Sequence, residues 1–309
     1  MKIIFMGTPA FGATILNELL KEHEISLVVV QPDKPSSRQK LIFSPVKELA
    51  LKHNLKIFQP LNITKETQAI FLAPCDLIVT AAYGQMIPEA VLNYPPFRSI
   101  NVHASLLPKY RGGAPIQRAL MNGDTKTGIS IIYMEKKMDA GDILAQAELA
   151  ITKDDNASSL FTKLADLGAK MILKTIKDLQ SGLIIPKKQD PLAVSYAYNL
   201  TKEDERLNFS LPAQKLYYQI KALANSPGAY FMIDGLIYKV YDSDVKELNH
   251  RALPGQIIAL DKTSFTIACS NNSSLVISRI KPQDRPLMEV KDFLNGKGKN
   301  IIVMNRRIE

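Results

Sequence analysis

Along the first half of the chain, short apolar runs alternate with segments whose apolar residues recur at helical spacing. Residues 2–6 form an apolar run closed by Gly7, which reads as a buried strand. Over 11–22, Phe11, Ile15, Leu16, Leu19 and Leu20 share one helical face. Residues 25–30 are rich in β-branched side chains and predict a second strand. Ser44-Pro45 opens another helix, with Ser as the cap and Pro at the first helical position. A short strand is expected at 56–59. The continuous run Asp76-Leu77-Ile78-Val79-Thr80-Ala81 is that of a central parallel strand covered on both faces. Strands over 128–134 and 143–151 flank the turn Met138-Asp139-Ala140-Gly141-Asp142, and a helix over 157–180 stops at Ser181-Gly182. This rhythm predicts an open, mostly parallel α/β sheet.

The pattern changes near residue 206. One helix is expected at 212–224. Short strands at 237–240, 256–260, 265–268 and 275–280 then alternate with the turn pairs Asp234-Gly235, Pro254-Gly255, Asp261-Lys262 and Asn271-Asn272. Such spacing predicts a small β-barrel. The expected plan is an α/β domain over 1–189, a linker over 190–206 and a β domain over 207–309, with Pro186-Lys187-Lys188-Gln189-Asp190-Pro191 having the composition of a connector.

Composition bounds the function. With 309 residues, 46% of them hydrophobic, the chain can bury two cores, which excludes disorder as its main state. No apolar run approaches the roughly 20 residues of a membrane span, and the N-terminal run is too short for a signal peptide. Two cysteines make no disulfide framework, so a cytoplasmic protein with reduced thiols is expected. None of the four histidines stands at metal-ligand spacing, so no metal site is expected. The formal net charge is +9, with 25 basic and 21 acidic side chains over 1–206 and 14 and 9 over 207–309. Positive charge is therefore denser in the C-terminal part, which suits an anionic partner.

Gly7-Thr8-Pro9-Ala10-Phe11-Gly12 occupies the place of a dinucleotide fingerprint, but Pro9 replaces the glycine that lets a pyrophosphate approach. It reads as a tight strand-to-helix turn. More informative is Ser99-Ile100-Asn101-Val102-His103-Ala104-Ser105-Leu106-Leu107-Pro108. On a strand over 99–103, alternation puts Asn101 and His103 on one face and Ile100 and Val102 on the other. An amide and an imidazole then share the carboxyl end of a strand, where ligands of open α/β sheets collect. On spacing alone, a satisfied strand end explains the pair more readily. Arg111-Gly112-Gly113-Ala114-Pro115 opens a helix in a basic, glycine-rich setting suited to an anion. Asp139 offers a carboxylate on a turn, and an Asp before Ala-Gly is also ordinary turn chemistry.

Taken together, Asn101-Val102-His103, Ser105-Leu106-Leu107-Pro108 and Asp139-Ala140-Gly141 resemble the active-site pattern of the 10-formyltetrahydrofolate-dependent formyltransferases. Within that superfamily the chain is most similar to the branch that acts on methionyl-initiator tRNA. The similarity extends through Met6-Gly7-Thr8-Pro9, Gln31-Pro32-Asp33-Lys34-Pro35, Ser44-Pro45-Val46-Lys47, Ala82-Tyr83-Gly84 and Arg111-Gly112-Gly113-Ala114-Pro115-Ile116-Gln117-Arg118, covering nearly the whole chain. It implies a Rossmann-like formyltransferase domain followed by an OB-like β-barrel.

The resemblance also implies a reaction: the methionyl amino group attacks the formyl carbon of 10-formyltetrahydrofolate and tetrahydrofolate departs. Asn101 and His103 would stabilise the oxyanion, and His103 and Asp139 would move protons and orient the imidazole. Ser105, Leu106, Leu107 and Pro108 would contact the folate. The basic loop after the second strand, with Arg38 foremost and Lys34 and Lys40 as electrostatic help, would meet the tRNA together with the C-terminal barrel. A monomer without metal is implied. The loop Ser36-Ser37-Arg38-Gln39 is plainer than in the family, and Asn225-Ser226-Pro227-Gly228 stands where members often carry Pro-Trp-Pro. The competing expectation is a formyltransferase for an amino-sugar nucleotide, which shares the core and a C-terminal barrel.

Overall fold

The computed structural model describes residues 1–35, 41–224, 226–248 and 250–308, with two compact units. One comprises Met1–Pro115, Lys126–Ile151 and Leu160–Tyr198; the other comprises Ile116–Thr125, Thr152–Ser159 and Asn199–Glu309.

The first unit is built on a seven-stranded sheet. Its strands are β1 (Lys2–Gly7), β2 (Glu24–Val29), β3 (Ile57–Phe58), β4 (Leu77–Ala81), β5 (Ser99–His103), β6 (Lys126–Tyr133) and β7 (Ile143–Ala150), in the order β3-β2-β1-β4-β5-β6-β7. The first five run parallel, and β6 and β7 add antiparallel at one side. This is the predicted open α/β sheet. Ile3, Ile4, Phe5 and Met6 of β1 and Leu77, Ile78 and Val79 of β4 have no solvent exposure, because helices cover both faces of a parallel sheet.

Helix α1 (Ala10–Leu19) buries Phe11, Ile15, Leu16 and Leu19, as their spacing predicts. Helix α2 (Pro45–Lys52) starts as expected, with Ser44 Oγ accepting from Lys47 N–H at 3.2 Å. The turn into α1 needs its glycines for contact. A Cβ on Gly7 or Gly12 would lie 2.8 or 2.9 Å from the Ala81 carbonyl oxygen. Helix α3 (Pro115–Asn122) follows the glycine-rich loop.

The long helix α4 (Ala157–Gln180) carries Gly168 in mid-helix, a residue that costs about 1 kcal/mol there relative to Ala. Its missing side chain admits the sheet: a Cβ would lie 2.9 Å from Val102 Cγ1 and 3.1 Å from Ile15 Cδ1. Ile100 and Val102 of β5 are thus core residues, and Asn101 and His103 are left to the opposite face.

The second unit holds an antiparallel sheet of β8 (Ala229–Ile233), β9 (Leu236–Glu247), β10 (Ile257–Leu260), β11 (Phe265–Ala268), β12 (Ser273–Pro282) and β13 (Met288–Glu289). Its order is β8-β9-β12-β11-β10, with β13 on β12. Register shifts between Val240 and Ser243 bend β9 across the sheet. Helix α5 (Ala213–Ala222) contributes Leu216 and Ile220 to a core with Phe231, Tyr238, Phe265, Ile277 and Phe293. Strand β9 runs longer than its apolar stretch because Asp242, Ser243 and Asp244 continue the pairing with one side facing water. The strand at 229–233 was not legible beforehand; its alternating burial extends from the Pro227-Gly228 turn.

Burial pushes the Cys75 thiol up to about 11 and the Cys269 thiol up to about 12 from an ordinary 9.0. Both are free. A raised acid ionisation leaves stability intact below the unfolded value near pH 9 and erodes it as pH climbs toward 11–12. We therefore expect both thiols to resist iodoacetamide at pH 7.5 until urea unfolds the chain, and denaturation midpoints to fall between pH 9 and 11. Rapid labelling of the folded protein at pH 7.5 would contradict this.

Candidate active site

Strand β5 ends at the sheet's carboxyl edge with Asn101 and His103 on one face. Parallel register sets Thr80 of β4 beside Asn101. The Thr80 hydroxyl lies 2.8 Å from Asn101 Oδ1, and Asn101 Nδ2 lies 3.4 Å from Asp139 Oδ1. A carboxylate can only accept, so the amide nitrogen is the end that faces Asp139.

His103 is 6% exposed. Its Nε2 lies 2.9 Å from the Tyr110 carbonyl oxygen. A carbonyl cannot donate, so Nε2 carries a hydrogen and Nδ1 is the ring nitrogen with a lone pair. Nδ1 faces Asp139 Oδ2 at 3.6 Å. Asp139 Oδ2 also accepts the Gly112 N–H at 2.8 Å. The structure therefore brings Asn101, His103 and Asp139 together, with the carboxylate between the amide and the ring. A proton arriving at Nδ1 meets a negative charge, and one arriving elsewhere on the ring does not.

Two supports of this geometry escaped the sequence reading. Tyr110 adopts a left-handed conformation (φ 64°), uncommon outside glycine and worth of order 1–3 kcal/mol of strain. It is held by Ser195, whose Oγ accepts the Tyr110 N–H at 3.0 Å and whose carbonyl accepts the Arg111 N–H at 2.9 Å. Ala197 N–H then donates to the Arg111 carbonyl at 2.7 Å. Gly112 lies at φ 124°, and a Cβ there would meet the Ala197 carbonyl oxygen at 2.6 Å. Residues 195–197, which read as connector, thus strap the loop that aims the Tyr110 carbonyl at His103. The second support joins Gln189 and Arg111. No local pattern marks either, since the partners stand far apart in sequence.

The segment 105–108 lies beside the triad. Ser105 and Leu107 are buried, and Leu106 and Pro108 are half-buried. The Ser105 hydroxyl donates to the Lys109 carbonyl at 2.7 Å. The Leu107 N–H is spent on Ser130 Oγ at 3.0 Å, and its carbonyl accepts from Gln146 Nε2 at 2.9 Å. Ser130 Oγ donates to the Ser105 carbonyl at 2.7 Å. The segment is therefore a braced ledge whose carbonyl oxygens keep lone pairs and whose Leu107 N–H is taken.

Lys34–Pro35 pairs antiparallel with Leu41–Ile42. Arg38 and Lys40 lie outside the described residues. At the foot of this ladder Asp33 bonds Lys47 and accepts from Gln59 Nε2 at 3.1 Å. Burial raises the Asp33 ionisation, but the bonds from Lys47 and Gln59 and the Lys47 charge outweigh it and hold the carboxyl below its ordinary value. Among the described residues no group of three or more His, Cys, Asp or Glu side chains could hold a metal ion. No helix among them is long and apolar enough to cross a membrane.

Residues 1–176 match the formyl transferase family and residues 199–298 match the formyl transferase C-terminal domain. Similar relatives include the methionyl-tRNA formyltransferase of Listeria innocua, 38% identical over 303 residues that cover 97% of each chain. That of Limosilactobacillus fermentum is 43% identical over 300 residues, 95% of each chain. Among solved structures, the Helicobacter canadensis N-formyltransferase in complex with folinic acid and dTDP-3-aminofucose matches at a TM-score of 0.68 and 17% identity, over 90% of this chain and 98% of that one. HypX from Aquifex aeolicus in complex with tetrahydrofolic acid matches at a TM-score of 0.65 and 17% identity, over 96% of this chain and 48% of that one. At these identities the two structures establish the fold, and the identities near 40% establish the branch. The chain belongs to the methionyl-tRNA formyltransferase family.

Proposed function

We propose that this chain transfers the formyl group of 10-formyltetrahydrofolate to the α-amino group of methionyl-initiator tRNA, with Asn101, His103 and Asp139 as the reacting machinery. The observation that carries the reading is the convergence of those three side chains at the end of β5, in a chain of this family. The amine nitrogen attacks the formyl carbon and a C–N bond forms. The tetrahedral intermediate then collapses, breaking the bond from that carbon to N10 of the folate. The amine loses a proton and N10 gains one, so no net acid or base is consumed. No covalent enzyme intermediate is needed.

Each group has a matching task. An N–H of Asn101 Nδ2 stabilises the oxyanion on the formyl oxygen, and Thr80 keeps the amide turned the right way. His103 Nδ1 receives the proton shed by the amine and returns it to N10. Asp139 balances the imidazolium and fixes its orientation. The pterin's donor-rich edge suits the carbonyl oxygens of residues 105–108, with Leu106 and Pro108 offering apolar surface. Ser105 and Leu107 act there through main chain, their side chains being turned inward.

Residues 1–189 form the catalytic domain, 190–206 the linker and 207–309 the tRNA-binding domain. Arg38, with Lys34 and Lys40, and the basic C-terminal domain contact the tRNA backbone, so affinity should fall steeply with salt. The enzyme works as a cytoplasmic monomer. The test is mass spectrometry of acceptors after incubation with 10-formyltetrahydrofolate: methionyl-initiator tRNA, methionyl-elongator tRNA and a dTDP-amino-sugar. Formylation of the initiator species alone is expected. Transfer to the sugar instead would overturn the acceptor assignment.

A further inference from the structure

We infer that Gln189 is a positioning residue for the reaction: through the buried Arg111 it fixes the turn that carries Asp139. The inference rests on the reading of Asp139 as a reacting group. Gln189 uses both ends of its amide. Its Oε1 accepts from Arg111 Nε at 3.1 Å and from Nη2 at 2.7 Å. Its Nε2 donates to the carbonyl oxygens of Asp139 and Gly141, each at 2.8 Å. Two donated and two accepted bonds use both N–H groups and both oxygen lone pairs of the glutamine amide. The residue type is dictated by this: a carboxylate could hold Arg111 but could not donate to two carbonyls, and a lysine could donate but would confront the guanidinium.

The turn needs such a clamp. Asp139 sits in the left-handed region at φ 49°. Asp tolerates that conformation better than most residues, but it is not held there by its own preference. Gly141 closes the turn so tightly that a Cβ would lie 1.9 Å from the Tyr133 carbonyl oxygen. Gln189 spans the turn from Asp139 to Gly141 and ties it to Arg111, which is 5% exposed. The next residue, Gly112, donates its N–H to Asp139 Oδ2 at 2.8 Å. A closed circuit results. The carboxylate of Asp139 is referenced to the main chain at 112, and its own main chain is referenced through Gln189 to the side chain at 111. The spacing of Asp139 from His103 Nδ1 and Asn101 Nδ2 is thereby set by one rigid unit. Loss of the clamp frees the turn to move, and a shift of about 1 Å at reacting groups costs about 10²-fold in rate.

The test compares Gln189→Met, Gln189→Glu and Asp139→Asn, alone and combined, in steady-state formylation of methionyl-initiator tRNA. Gln189→Met keeps the side chain's length and removes every hydrogen bond. It should lower kcat by about 10- to 100-fold and leave both KM values within about threefold. In the Asp139→Asn background the same change should cost less than about threefold, since the group it positions is already gone. A purely structural role would instead multiply the two losses and lower Tm by a similar amount in both backgrounds. Should Gln189→Met not fold, Gln189→Glu keeps the partner of Arg111 and is expected to fold with the same loss of kcat. Wild-type turnover in both Gln189 variants, with Asp139→Asn impaired, overturns the inference and leaves the proposed function standing. Wild-type turnover in Asp139→Asn overturns the inference and removes Asp139 from the reacting groups, while the formyl transfer itself stands.

Discussion

Replacing His103 by alanine lowers the turnover of formyl transfer by about 10³- to 10⁴-fold, near the upper end for loss of a general base. KM for either substrate is expected to move little, because in the proposed mechanism the ring moves a proton and does not hold ligand. The size of the effect follows from the tautomer. The Tyr110 carbonyl, 2.9 Å from Nε2, forces the hydrogen onto that nitrogen and leaves Nδ1 free to take a second one. Asp139 Oδ2 stands 3.6 Å from Nδ1, so the proton arrives at the one ring position where a carboxylate stabilises it. His103→Gln separates the two functions. Its amide can still donate to the Tyr110 carbonyl, so the loop stays in place, but it offers no ionisable nitrogen. We expect it to be nearly as slow as His103→Ala. Asp139→Asn should be slow as well, and combined with His103→Ala it should add little, since the two act as a unit. Stopped-flow or quenched formylation assays check these values; a His103→Gln enzyme within tenfold of wild type would remove His103 from the chemistry.

The second large effect is expected at Asn101. Its alanine variant should lose about 10²- to 10³-fold in kcat, the ordinary cost of removing one oxyanion donor. Asn101→Asp is the sharper variant. It preserves shape, yet it puts a carboxylate where the amide nitrogen now approaches Asp139 Oδ1 at 3.4 Å and where the formyl oxygen becomes negative. Two like charges and a developing third then crowd one place. Turnover should fall at least as far as in the alanine variant, with the folate KM rising. An Asn101→Ala enzyme that keeps its kcat and loses only folate affinity would make Asn101 a binding group and leave the oxyanion without an amide donor.

Much of this site was readable beforehand, for physical reasons. A five-residue strand fixes the side of every residue, so Asn101 and His103 fall on one face and Ile100 and Val102 go to the core. A fully buried run such as Leu77–Ala81 announces a central strand. The β domain was signalled by short apolar runs separated by turn pairs, several of which sit at positive φ, as at Asp234 and Gly235.

What stayed hidden were contacts between distant segments. Spacing gave no reason to choose Asp139 over any other turn aspartate; the resemblance did, and only the folded chain shows its carboxylate beside the ring. Ser195 and Gln189 lie in a stretch bounded by prolines and lysines that reads as connector, because local composition reports exposure and not long-range pairing. Their partners lie far away in sequence: the main chain of Tyr110 and Arg111 for Ser195, and the Arg111 guanidinium with the carbonyls of Asp139 and Gly141 for Gln189. The reading of residues 105–108 gained direction from the fold: Leu106 and Pro108 face outward, and Ser105 and Leu107 brace the ledge.

In the proposed mechanism the formyl group passes directly from folate to the methionyl amine at Asn101, His103 and Asp139. Single-turnover rapid quench tests it most directly, with isotope-labelled formyl on 10-formyltetrahydrofolate, enzyme in excess and methionyl-initiator tRNA. Label should pass to the methionine nitrogen at the rate at which tetrahydrofolate appears, with none on the protein, and both rates should collapse together in His103→Ala. Label trapped on the enzyme, or release of tetrahydrofolate that outruns formylation of the amine, would contradict it.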